Sequence, residues 1–152
     1  SIFSAAPGLS GLQAYKFGKT TTVPFPDENF FPHSPYDAIK QNSENGLHTL
    51  VLLDIQAHKD RYMTVNQAID YLSKVEGERN EGVFDDDRIV IGIAHAGSDK
   101  PIVKGGRVCD VKDFDFGEPL HCMIVPGDLH FIEAEALITL ADVDEELLKD
   151  FL

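Results

Sequence analysis

Two stretches of this 152-residue chain, "LHTLVLLDI" and "RIVIGIAHAG", are almost unbroken apolar runs of strand length. A strand with one wetted face alternates apolar and polar side chains, so runs like these read as strands covered on both faces by helices. The remaining segments supply those helices. Thr64 and Gln67 form a capping-box pattern, and Val65, Ala68, Ile69, Leu72 and Val75 recur behind it at helical spacing. Ser34 as N-cap, Pro35 at the first helical position and Asp37 in the first turn predict a helix running to about Gly46. "HFIEAEALITLAD" predicts another, followed by the acidic amphipathic "VDEELLKDFL". Ser1 reads as the N-cap of a short helix that Gly8 and Gly11 interrupt. "TTTVPF" and "HCMIVPG" are further strands and "PIVKGGRV" a shorter one, and the proline-studded "PFPDENFFPHSP" is an extended loop. The alternation predicts an α/β sandwich, one domain around one sheet flanked by helices.

Composition is compatible with one hydrophobic core: 43% of residues are hydrophobic and 26% charged, without low-complexity tracts or solenoid-length repeats. No apolar stretch is long enough to span a bilayer and no charged-then-apolar leader precedes Ser1, so the expectation is a soluble chain without a membrane partner. Cys109 and Cys122 lack CxxC spacing, which argues for a reducing compartment, the cytoplasm. The net charge of -13 repels a phosphate backbone and attracts cations or basic protein surfaces, which excludes direct nucleic-acid binding from the expected activities.

The chain has no GxSxG elbow, GxxxxGK[ST] loop, HExxH helix or GxGxxG turn. "VKGGRV" has the wrong spacing for a phosphate cradle and reads as a tight turn. His95, His121 and His130 are widely spaced and lack partners at metal-ligand intervals, so no metal is expected; Cys122 lies inside an apolar strand, where a thiol packs rather than reacts. What remains is a set of strand ends: Leu53 closes one buried strand, "AHAGS" the next, and "GEPLH" leads into a third. Ligands of open α/β sheets bind at such edges. On the residues alone, however, Ala96, Gly97 and Ser98 read as a turn and His121 as an exposed strand-entry residue.

"GLQAYKFGKTTTVPFP", "ENFFPHSPYDAI", "GLHTLVLLDI", "RYMTVNQAIDYL", "AHAGSDKPIVKGG" and "DFGEPLHCMIVPGDLHFIEAEAL" together resemble the archaeal diphthine synthases, of the tetrapyrrole methylase superfamily. The resemblance excludes only the last ten or so residues. It implies that residues 1–152 are the C-terminal domain of a two-domain methyltransferase whose N-terminal domain is absent from this chain. It also implies S-adenosyl-L-methionine as cofactor, S-adenosyl-L-homocysteine as product, and the amino group of a modified histidine on translation elongation factor 2 as acceptor, during diphthamide formation. By motif, Ser1 and Ile2 would meet the cofactor at the domain junction, and Leu53, Ala96 and His121 would line its adenosine side. Leu53 and Ala96 lie at strand ends but His121 at a strand start. For all three to face one ligand, "HCMIVPG" must run antiparallel to the other two strands, which predicts a mixed sheet. The resemblance further implies a homodimer, with Leu147, Leu148, Phe151 and Leu152 as candidates for burial.

Two positions depart from the resembling family: His95, where Arg is frequent, and Asp128, where Lys is frequent. The first changes the titration chemistry beside the cofactor turn, and the second bears on partner recognition. Methyl transfer from a sulfonium to an amine needs positioning and desolvation rather than covalent catalysis, so no catalytic residue is assigned. Two alternatives stay open on sequence: another methyltransferase of the superfamily, acting on a corrin-type ring or ribosomal RNA, and a non-catalytic acidic module that binds a protein or dimerises.

Overall fold

The computed structural model describes residues 1–152. In chain order the elements are α1 (Ile2–Ser10), β1 (Thr21–Val23), α2 (Ser34–Glu44), β2 (Thr49–Leu53), the short hairpin of β3 (Ile55–Gln56) and β4 (Arg61–Tyr62), α3 (Val65–Arg79), β5 (Ile89–Ala94), β6 (Ile102–Arg107), α4 (Val108–Val111), β7 (His121–Val125), α5 (Phe131–Leu140) and α6 (Glu145–Leu148). Both apolar runs are strands of one five-stranded sheet of order β1-β2-β7-β5-β6. β1 and β2 are parallel, and every other neighbouring pair is antiparallel. The sheet is therefore mixed, with β7 running against both β2 and β5.

Period-two alternation divides the strand residues between two cores. Val51 and Leu53 of β2, Met123 and Val125 of β7, and Val90 and Ala94 of β5 pack with α2, with the Val65–Val75 stripe of α3 and with α4. Leu50, Cys122, Ile124, Ile91 and Ile93 face the other way, against Ala6 of α1, Ala134 and Leu137 of α5 and Leu148 of α6. The apolar runs are continuous because both faces are covered. Gly92 interrupts the β5 run for a packing reason: a Cβ there would lie 2.3 Å from Cζ of Phe116, whose buried ring occupies that space.

Local signals place most boundaries. The capping box of α3 is formed, with Gln67 N–H donating to Thr64 Oγ1 at 3.1 Å and Thr64 N–H donating to Gln67 Oε1 at 2.9 Å. Four expectations are corrected. α1 runs through Gly8 and stops only at Gly11, whose φ of 78° gives the left-handed C-cap that glycine adopts without a Cβ clash. α2 begins one residue early, with His33 in the cap position, and ends at Glu44. "VKGGRV" is not a tight turn and "PIVKGGRV" is not shorter than its neighbour, because Lys104, Gly105 and Gly106 lie inside the six-residue β6, paired with all of β5. Cross-strand pairing overrode the glycine signal, as tertiary context commonly does. The terminal segment is not one amphipathic helix: α6 is four residues long and a 3-10 turn follows, leaving Leu148 in the core and Phe151 and Leu152 about half exposed.

A buried polar cluster fastens α5 to the sheet and to the segment after α1. The fully buried Glu133 carboxylate accepts from Lys16 Nζ at 2.6 Å, His48 Nε2 at 2.8 Å, Gln13 N–H at 3.0 Å and His130 N–H at 3.1 Å. His48 in turn accepts the Gly127 N–H at Nδ1, at 2.9 Å, which makes it the neutral tautomer that donates from Nε2. Asp128 belongs to this end of the molecule, its main-chain oxygen accepting from Lys16 Nζ at 2.6 Å. No helix is long and apolar enough to cross a membrane.

Candidate functional site

The antiparallel placement of β7 brings its first residue beside the last residues of β2 and β5. Leu52 pairs with Cys122, and Ala94 pairs with His121. Around this end of the sheet lies a cavity of about 850 Å³. Ser1, Ile2, Leu53, Ala96 and His121 all line it, although up to 120 positions separate them in the chain. α1 brings the first two residues to the cavity, the end of β2 the third, the turn after β5 the fourth and the start of β7 the last.

Their side chains are committed to different degrees. Leu53 is buried in the core on the α3 side. His121 is buried too, at 9% exposure, which corrects its reading as an exposed strand-entry residue. Its Nδ1 accepts the Val65 N–H at 3.2 Å, and its Nε2 donates to the carbonyl oxygens of Gly117 at 3.0 Å and Glu118 at 3.1 Å. The imidazole has thus spent both nitrogens on the protein. A ligand at this end of β7 meets the backbone around His121 rather than its ring. Ser1 is the N-cap of α1 as read, its carbonyl accepting from Ser4 N–H at 3.2 Å and Ala5 N–H at 3.0 Å, while its side chain makes no cap bond.

Other lining residues were not nominated individually as ligand contacts by sequence reasoning. Asp54, directly after Leu53, is the only carboxylate among them, and no lysine or arginine joins it. Its Oδ2 accepts the Phe25 N–H at 2.9 Å, while its main chain is held by Val23 O at 3.1 Å and Met63 N–H at 3.0 Å. Oδ1 has no protein partner. The signal was available in "LLDI", where a carboxylate closes an apolar strand at a sheet edge. Pro119 and Leu120 form a second part of the wall, and Leu120 is 54% exposed. They belong to "GEPLH", which the sequence marks as a strand end but not as individual ligand contacts. Cys122 also lines the cavity, but burial pushes its thiol up to about 12, so it stays protonated at neutral pH and is no nucleophile. Asp128 lies past the other end of β7, remote from these residues in the sheet.

The site can therefore enclose an apolar, flat group against strand-end backbone and offer one negative charge to a cation. An adenosyl sulfonium fits that donor set: small Ala96 and Gly97 leave room, main-chain groups are at hand, and the one charge has the complementary sign.

No model of a known protein family matches the chain. Over all 152 residues it is 88% identical to the diphthine synthase of Methanosphaera stadtmanae, covering 58% of that protein. It is 53% identical to the diphthine synthase of Methanosarcina mazei over 99% of its own length and 58% of the relative's. A crystal structure of diphthine synthase matches the whole chain with a TM-score of 0.86 at 36% identity, and 55% of that structure is covered. The chain thus spans a little over half the length of the relatives it matches. In sequence and in fold it is similar to diphthine synthases over that part of their length.

Proposed function

We propose that residues 1–152 are the C-terminal, cofactor-holding domain of a two-domain diphthine synthase, which methylates the amino group of a modified histidine on translation elongation factor 2 in diphthamide biosynthesis. One observation carries this reading: the five residues that family resemblance nominates for the cofactor line a single cavity at one end of the sheet. The relatives' additional length supports a second domain as the opposite wall.

When bound, S-adenosyl-L-methionine supplies an electrophilic methyl group on a sulfonium and leaves as S-adenosyl-L-homocysteine. The chain's residues bind, orient and exclude water. Leu53, Ala96 and the backbone at His121 hold the adenosine side, and the start of α1 at Ser1 and Ile2 lies at the domain junction. Asp54 opposes the positive charge, and Ile55 and Leu120 form an apolar rim. The acceptor amine attacks in its neutral form and the proton departs to water, so orientation provides the rate gain, for which about 7–11 kcal/mol is available. No side chain of the cavity is needed as nucleophile.

The acidic chain suits a protein substrate with a basic surface and disfavours nucleic acid. We place the enzyme in the cytoplasm as a homodimer. The exposed Phe131, Ile132 and Leu140 of α5 are better candidates for the interface than the terminal segment, whose Leu148 is already used in the core. Calorimetry of the full-length protein with S-adenosyl-L-homocysteine, paired with methylation of elongation factor 2 bearing the unmethylated histidine adduct, tests the reading. Saturable binding and transfer support it; absence of binding overturns it.

A further inference from the structure

Two histidines converge on one carbonyl at the wall of the cavity. His121 accepts from Val65 N–H at Nδ1, which leaves its Nε2–H to donate to Gly117 O and Glu118 O. His95, the residue after β5, donates from its own Nε2 to the same Glu118 oxygen. Its main-chain N–H also donates to Leu120 O at 3.0 Å. The segment from Gly117 to Leu120 is therefore gripped at both ends of its span, from the exit of β5 and from the entry of β7. Pro119 and Leu120, the part of it that faces the cavity, make no side-chain hydrogen bonds of their own and depend on these ties for their position.

His95 keeps its place in an unusual way. Its φ is 56°, in the left-handed region, and a turn closes behind it, with Ser98 N–H donating to His95 O at 3.0 Å. A non-glycine residue holds that conformation where surrounding contacts fix it. Glycine would take the same backbone without cost. The turn and the side-chain bond are therefore separable by substitution. Nδ1 of His95 has no protein partner, so the position requires only a donor at the reach of Nε2.

We propose that His95 is a positioning residue: sharing the Glu118 carbonyl with His121, it holds the Gly117–Leu120 segment against the end of β5 and so sets the cofactor-facing wall of the cavity. This rests on the reading of the cavity as the cofactor site. His95 also lines the cavity, and the role proposed for it is exerted through Pro119 and Leu120, which the exchange readout reports independently of ligand.

The test uses the full-length protein and two readouts: hydrogen exchange without ligand at the residue-95 amide, which donates to Leu120 O, and calorimetric affinity for S-adenosyl-L-homocysteine. His95→Gly keeps the turn and removes the donor. It is expected to speed exchange about tenfold and to weaken binding about tenfold, the scale of one lost hydrogen bond. His95→Gln restores a donor at similar reach and is expected to return both values to within about threefold of wild type. Should His95→Gly fail to fold, His95→Asn, which tolerates the left-handed region but is too short to reach Glu118, serves in its place. Unchanged exchange and affinity in His95→Gly overturn the proposal. So does His95→Gln as impaired as His95→Gly, since the imidazole itself would then be what matters. A wild-type protein that binds no S-adenosyl-L-homocysteine, while His95→Gly still loosens the segment, sinks the cofactor reading and supports the tie.

Discussion

Ala94 and His121 are register partners on the antiparallel strands β5 and β7, so the turn that carries Ala96 and the strand that begins at His121 meet at one end of the sheet. The cavity follows from that pairing. Ala96 lines it with a side chain of one carbon, and a larger group would project into the space assigned to the adenosine. Ala96→Leu in the full-length protein should weaken S-adenosyl-L-homocysteine binding by at least about tenfold, with a melting temperature close to wild type. Calorimetry and thermal unfolding, measured together, check it; unaltered affinity in a folded variant counts against the placement.

Asp54 makes a prediction about charge. Asp54→Asn keeps an oxygen for the Phe25 N–H and removes the negative charge from the cavity. S-adenosyl-L-methionine carries a sulfonium and its product does not. The variant should therefore lose about tenfold in affinity for the former and less than about threefold for the latter, consistent with one charge-assisted contact. Equal losses for both ligands would remove charge from the account.

The cluster around Glu133 sets an acid limit on stability. Burial alone would raise the Glu133 pKa, but the Gln13 N–H, Lys16, the His130 N–H and His48 hold it down to about 2. Its contribution is complete above the unfolded value of 4.5 and is lost as pH falls toward about 2. His48 works in the same direction. Burial lowers its pKa below 6.5, so its neutral form is favoured in the fold and acid opposes folding once pH drops under that value. The melting temperature should decline first below about pH 6.5 and more steeply below about pH 4.5. Glu133→Gln leaves Lys16 without its buried partner and should cost about 3 kcal/mol at neutral pH while flattening the steeper limb. A pH–stability curve identical in shape for both proteins would contradict this assignment.

Much of the fold was legible because the decisive signals are local or periodic. Thr64 and Gln67 cap α3 as their spacing indicates, and the unbroken apolar runs are strands covered on two faces. At the β6 glycines tertiary pairing outweighed local preference. Gly105 and Gly106 became strand because β5 pairs along their whole length, and Gly8 stayed helical. The candidate site was nominated by resemblance, since Ser1, Leu53, Ala96 and His121 have no chemical signature in common; strand direction brings the last three to the cavity that Ser1 also lines. Asp54 was visible as a carboxylate at a strand end. The wall at Pro119 and Leu120 was marked only as the strand end "GEPLH", and the bonds from His95 and His121 that place it were not legible.

Residues 1–152 contain two apolar layers around a complete sheet, which predicts that this portion folds cooperatively by itself. Without the second wall of the cavity it should bind cofactor on the order of a hundredfold more weakly than the full-length enzyme, and methylate elongation factor 2 negligibly. Circular dichroism during thermal unfolding and a methyl-transfer assay on both lengths check this. Efficient transfer by the isolated portion would mean that the two-domain cofactor site is misassigned.

The most direct measurement is a crystal structure of the full-length protein with S-adenosyl-L-homocysteine bound. The account places the adenosine against Leu53, Ala96 and the backbone at His121, with the start of α1 at the domain junction and Asp54 within reach of the homocysteine end. A ligand bound elsewhere, with this cavity left to solvent, would contradict it.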